Sequence, residues 1–264
     1  MIAQLEAVAR SAWPARSERD YDGWLLCLGG GRTRRTNSVQ PVTAGRLPLD
    51  EKIAHCEAYY RDAGARPVFK LTAAAEPADL EGALAGRGYR LSDPTSVQCV
   101  ELASLDGVLR AAVGQEALRI EPGLTAGWLA DCARLSGMDD GGAHALAEVL
   151  ERISLHAEPC AFASQAGAEE TIAQGLGVVR GEYLYLAQVV TAADVSQRGH
   201  AQGVVLQLCD WARGVGATRA LLQVVAANAA AMALYLGLGF EEAYRYWYRE
   251  GPDEGENDQT SGAR

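Results

Sequence analysis

A chain of 264 residues, 48% hydrophobic and 22% charged, has an ordinary globular composition and the length for two cores of about 100 to 150 residues rather than one. Its 34 acidic and 24 basic residues leave a net charge of −10, which argues against a nucleic-acid partner, since phosphate neutralisation needs clustered Lys and Arg. No leader or membrane-length apolar run is read, and Cys27, Cys56, Cys99, Cys132, Cys160 and Cys209 lie scattered without a C-x-x-C pair, so a soluble, reduced, cytoplasmic protein is expected. His55, His144, His156 and His200 show no ligand spacing, and no metal is expected.

Trp24 reads as a core anchor. Gly29 to Ser38 sets three arginines beside three glycines; it reads either as a surface loop or as a segment whose Arg34, Arg35 and Asn37 face a cleft and recognise a carboxylate or phosphates. Asp50 to Tyr60 is predicted as a helix, Val68 to Thr72 as a strand, and Gly86-Arg87-Gly88-Tyr89 as the glycine stop of a second helix. A linker is expected between Glu101 and Glu116.

Beyond it, Leu118 to Glu121 reads as an edge strand, and Thr125 to Leu135 and Ala143 to His156 as helices separated by a turn from Gly137 to Gly142. Ala161 to Gln165 is a short apolar run, Glu169 to Val179 alternates loosely, and Leu184 to Val190 is a buried strand. A polar loop from Thr191 to Arg198 leads into a helix from Ala201 to Gly214, with Val204, Val205, Leu208 and Trp211 at helical spacing. Arg219 to Val225 is a strand, Asn228 to Leu236 a helix capped by Asn228 and ended by Gly237 and Gly239, and Phe240 to Arg249 a strand rich in aromatics. The acidic tail with Glu250, Asp253, Glu254, Glu256 and Asp258 is expected to be disordered.

Laying Gly86-Arg87-Gly88-Tyr89 on Gly237-Leu238-Gly239-Phe240 brings Val68–Thr72 onto Arg219–Gln223, and the helix from Asp50 onto that from Ala201, without a gap. Agreement of a strand, two helices and a glycine stop at one offset indicates an internal duplication.

In the second copy, Ser196-Gln197-Arg198-Gly199-His200-Ala201 places small residues at a helix entry, where backbone N–H groups and the helix dipole can hold an anion. Tyr235, seven residues beyond Asn228, reads as a core aromatic by spacing alone.

The loop resembles the Gln/Arg-x-x-Gly-x-Gly/Ala acyl-CoA loop of the GNAT acetyltransferases, and Asn228-Ala-Ala-Ala-Met-Ala-Leu-Tyr235-Leu-Gly-Leu-Gly-Phe240 resembles the same superfamily's Asn-x-x-Ala-x-x-Leu-Tyr-x-x-x-Gly-Phe signature. Ser196 stands where Gln or Arg is usual; a second register, Arg198-x-x-Ala201-x-Gly203, keeps the Arg but loses the first glycine. The resemblance implies a mixed-sheet α/β protein with two tandem GNAT-like domains of the acyl-CoA N-acyltransferase fold. Residues 1–110 would form a degenerate domain, 115–250 a catalytic one, and 251–264 the acidic tail.

It further implies acetyl-CoA as co-substrate without a metal, held by Val189, Val190, Gln197, Arg198, Gly199, His200, Ala201, Gln202, Asn228 and Tyr235, with Tyr235 protonating the departing sulfur. The acceptor would be the amine of a small molecule or a peptide, with neither nucleic acid nor membrane as partner; its identity and the oligomeric state are not legible. The base is either a water chain or Glu182, and Asp139 and Asp140 are either acceptor contacts or a solvated turn. In the first copy Pro48 falls at Gly199, Asp50 at Ala201, Pro77 at Asn228 and Leu84 at Tyr235, so that half should be a scaffold. The competing reading is a non-catalytic acyl-CoA-binding regulator. A nucleotide hydrolase is disfavoured, because no Gly-x-x-x-x-Gly-Lys-Ser/Thr run occurs.

Overall fold

A computed structural model describes residues 1–29, 33–107, 109, 118–155 and 159–252. The front half contains α1 (Ile2–Ala12), β1 (Ser17–Tyr21), β2 (Trp24–Leu28), β3 (Val39–Pro41), α2 (Leu49–Asp62), β4 (Val68–Thr72), α3 (Leu80–Gly86) and β5 (Arg90–Glu101). The back half contains β6 (Arg119–Glu121), α4 (Ala126–Leu135), α5 (Asp140–Ser154), β7 (Cys160–Ala166), β8 (Thr171–Arg180), β9 (Tyr183–Thr191), α6 (His200–Gly214), β10 (Arg219–Val225), α7 (Ala229–Gly237) and β11 (Glu241–Glu250). Gly30, Gly31, Arg32, His156, half of the expected linker and the tail from Asp253 lie outside the described residues. Glu250, expected in that tail, instead ends β11 and pairs with Arg34 at 2.6 Å and Arg66 at 3.2 Å.

These strands form one mixed sheet in the order β1-β2-β3-β4-β11-β5-β10-β9-β8-β7-β6. Each half lends its last strand to the other. β11 sits between β4 and β5, with Tyr248 opposite Lys70 on one side and Ser92 on the other, while β5 continues the sheet into β10. The period-two pattern of β11 buries Tyr244, Tyr246 and Tyr248 on the face covered by α1, α4 and α5, and turns Trp247 toward the front-half core around Trp24, Tyr60 and Phe69. The opposite face of the back half carries α6 and α7 over Leu184, Leu186, Leu222 and Val224.

The duplication is visible in backbone detail. Gly88 and Gly239 have φ of +81° and +86°, and the following Tyr89 and Phe240 donate from N to the carbonyls of Leu84 and Tyr235, each at 3.0 Å. Both helices thus close on a left-handed glycine followed by a buried aromatic. Trp24 is fully buried, its indole donating to the Glu76 carbonyl at 2.9 Å. Several front-half elements went unread in the sequence: α1, with its apolar stripe of Leu5, Ala9 and Ala12, the strands β3 and β5, and the β1–β2 hairpin, turned by Asp22-Gly23 with both φ positive.

Because central strands are exchanged, the full chain is expected to unfold in one calorimetric transition and residues 1–110 alone to give none. Two resolved transitions would contradict the shared sheet. Among the described residues no helix is long and apolar enough to cross a membrane.

Candidate active site

Parallel pairing of β9 with β10 runs from Tyr183↔Arg219 to Leu186↔Leu222 and ends there. Beyond it β9 stays bonded to β8 as far as Thr191↔Ala173, and β10 to β5 as far as Val225↔Thr95. The two strands therefore part and leave a wedge at their C-terminal ends, the place where open α/β sheets take ligands. Within the wedge β9 carries a bulge: its register to β8 shifts between Ala187 and Val190, and Gln188 has φ +50°. The extra residue resets the alternation, turning Val189 toward α6 and α7 and Val190 toward the α1 face. Both valines, expected on ligand-facing backbone, are half-buried at the wedge.

Opposite the bulge stands Gly175. A Cβ there would come within 2.6 Å of Val204 Cγ1 and 3.1 Å of Leu208 Cδ1, so a bare backbone is what lets α6 lie close against the bulge. Gly175→Val is expected to destabilise the chain by about 1–3 kcal/mol through overpacking, read as a lowered denaturant midpoint.

After β9 the chain runs through Gln197, φ +62°, and Gly199, φ +89°, into α6. A non-glycine residue at Gly199 would meet about 1–2 kcal/mol of left-handed strain, but an added Cβ would touch nothing within 4 Å. The space in front of Gly199 is open. His200, not Ala201, is the first helical residue, and Gly199 itself is the cap. Among the described residues no side chain caps this end, whereas Thr125, Asp139 and Asn228 accept from backbone N–H groups at the starts of α4, α5 and α7. Gln197, Arg198 and Gly199 are exposed, and His200, Ala201 and Gln202 are half-buried in the first turn. The His200 ring lies 3.1 Å from Gln165 Oε1.

The equivalent loop of the front half is closed by its own side chain. Asp22 accepts from Arg46 N at 2.8 Å and Leu47 N at 2.9 Å, the positions matching Gln197 and Arg198. These two bonds, Leu47 first, hold its carboxyl below the ordinary aspartate range. Pro48 caps α2, and Asp50 in the first turn pairs with Arg87 at 2.9 Å. An internal carboxylate thus stands where the back half keeps its donors open.

Asn228 is exposed and caps α7 through a bond from Ala231 N at 3.1 Å. Two turns on, Tyr235 is 7% exposed and shares a cluster with Val189, Val204 and Val224. Its ring meets Phe240 edge-on, with centroids 5.6 Å apart. Burial pushes its phenol up to about 12. The hydroxyl has no protein partner among the described residues, and it is not sealed from solvent.

Other candidates separate clearly. Glu182 lies at the opposite end of β9, its carbonyl accepting from Thr218 N and Arg219 N, about 20 Å along the strand from the bulge at ~3.3 Å per residue. Asp139 caps α5 through Gly142 N at 2.7 Å, with Asp140 in its first turn. Arg34 pairs with Glu250 and lies 5.0 Å over the Tyr248 ring. Asn37 ties its loop, accepting from Gly29 N at 2.9 Å and donating to Thr33 O at 3.1 Å. Of the three loop residues expected at a cleft, Arg34 meets the back half at the end of β11, and only Arg35 reaches β9 and β10 beside the wedge, where it bonds Tyr185 and Gln223. Among the described residues no group of His, Cys, Asp and Glu could hold a metal.

A family model described as "Probable histone acetyltransferase Rv0428c C-terminal" matches residues 1–81 and 160–249, taking in both halves. The chain belongs to this family. It is a GNAT N-acyltransferase, and it is 27% identical over 252 residues to "Uncharacterized N-acetyltransferase YobR" of Bacillus subtilis (strain 168), covering 94% of this chain and 98% of that one. The GNAT fold is shared with a GCN5-related N-acetyltransferase from Kribbella flavida, at TM-score 0.68 and 14% identity over 97% of this chain and 96% of that one. A tandem GNAT protein from the clavulanic acid biosynthesis pathway matches at TM-score 0.60 and 14% identity, over 95% of this acetyltransferase and 89% of its own length.

Proposed function

We propose that this GNAT acetyltransferase moves an acetyl group from acetyl-CoA to a primary amine by direct attack, using the back-half wedge alone. The observation that carries the reading is the open, uncapped start of α6 beside a bulged, splayed β9. Gln197 to Gln202 would supply the diphosphate with backbone donors and the positive end of the helix dipole. The backbone at Val189 and Val190 would bond the pantetheine arm, and a strand N–H would polarise the thioester carbonyl. The neutral amine nitrogen bonds the acetyl carbon as the C–S bond breaks, Tyr235 gives its proton to sulfur, and the amine's extra proton leaves to water, from which Tyr235 regains the one it gave.

The thioester chemistry is thus confined to residues 115–250, while residues 1–110, with their anion loop filled by Asp22, hold no cofactor of their own. All six cysteines are free, which suits a reducing cytoplasm. Incubating the purified chain with acetyl-CoA and a panel of amines should release free thiol together with an acetylated amine. Tight acetyl-CoA binding without transfer to any amine or peptide would instead favour the regulatory reading.

A further inference from the structure

On the α1 face, just outside the wedge, a cavity of about 10 Å³ lies between Trp13 and the seam of the sheet, and shares Glu6, Arg10, Gln40 and Lys70 in its lining with a second of about 70 Å³. One water needs roughly 10–15 Å³, so the first has the room of one oxygen-sized group and the second that of several. Its chemistry is one-sided. Lys70 pairs with Glu6 at 2.5 Å, and Glu6 also accepts from Tyr244 at 2.6 Å. Arg10 pairs with Glu18 at 3.5 Å and donates to Gln40 at 3.2 Å. Arg35 has no such counter-ion: it donates to the neutral Tyr185 hydroxyl and Gln223 Oε1 and lies 5.4 Å over the Trp13 ring, with no carboxylate partner among the described residues.

Two further donors in this lining have no acceptor among the described residues. Trp13, 4% exposed, leaves Nε1 sealed and unpaired, and so does Gln223 with Nε2. Orphaned buried donors beside an unbalanced guanidinium are costly in an apo protein and become an asset when an anionic oxygen arrives. Position gives the cavity its meaning. Gln223 is the residue of β10 immediately after the last β9–β10 pair, so a carboxylate held there has its neighbouring atoms at the mouth of the wedge.

We propose that this seam cavity binds the carboxylate of the acceptor, making small amino acids, rather than simple amines, the substrate class. Arg35 is the counter-ion, and Trp13 and Gln223 are the neutral donors. The inference rests on the proposed acetyl transfer for its direction and leaves that chemistry unchanged: the acceptor's amine gains the acetyl carbon while its carboxylate stays intact.

The test uses the full chain and pairs each of glycine, β-alanine and 4-aminobutyrate with its amide. Without acetyl-CoA, the indole N–H resonance of Trp13, assigned by its loss in Trp13→Phe, should move with at least one acid and not with that acid's amide. With acetyl-CoA, the acid should have a kcat/KM about tenfold or more above its amide, and Arg35→Met should bring the acid down to the amide. The wild-type contrast stands whether or not the variants fold. An unmoved resonance, or equal movement and equal turnover for acid and amide, overturns the carboxylate site. A resonance that moves with acids alone in a chain that transfers acetyl to nothing would uphold the site and overturn the acetyl-transfer reading.

Discussion

Gly199→Asp is expected to raise the KM for acetyl-CoA about hundredfold while leaving the chain folded, with a melting temperature unchanged or higher. Aspartate is among the non-glycine residues that best tolerate a left-handed conformation, and it is a favoured helix cap. At φ +89° with open space in front, its carboxylate fits beside the start of α6 and puts a negative charge where the diphosphate should lie. The front half already displays such an arrangement, with Asp22 bonded to Arg46 N and Leu47 N. Substrate kinetics and a thermal melt check the pair of effects; unchanged KM in a folded variant would remove the loop from phosphate binding.

Tyr235→Phe is expected to lower kcat about hundredfold, the scale of a lost general acid, with the KM for acetyl-CoA nearly constant. Stability should hold, because the hydroxyl gives up no protein partner among the described residues. The pH dependence follows from the direction of the shift. Burial raises the phenol to about 12, so the acid form persists while an acceptor amine titrates near ~10. Wild-type turnover should therefore rise with pH as the amine becomes neutral, without a tyrosine-dependent fall below about 12. A descending limb near ~10 that vanishes in the variant would mean that Tyr235 titrates like a free tyrosine.

Much of the back half was legible because its signals are local. Asn228 and the glycine stop at Gly239 each declare themselves within one turn of chain, and α7 begins and ends where they place it. The loop before α6 was readable as an anion cradle, yet its open state is a contrast with Asp22, a side chain more than twenty residues upstream of the loop it fills. The bulge left no glycine or proline to mark it, since Gln188 carries the positive φ. Strand exchange is equally silent: the alternation of Tyr244, Tyr246 and Tyr248 predicts a strand with one buried face, and nothing in that pattern says which neighbours flank it. Arg35 shows the limit most sharply. It sits in a glycine- and arginine-rich run that looks solvated, and only the sheet reveals that Arg34 turns to Glu250 while Arg35 turns to the seam.

Isothermal titration of the full chain with coenzyme A tests most directly whether the back half alone holds the cofactor. One site per chain, abolished by Gly199→Asp, is the result expected. No heat, two sites per chain, or one site untouched by that substitution would contradict the account.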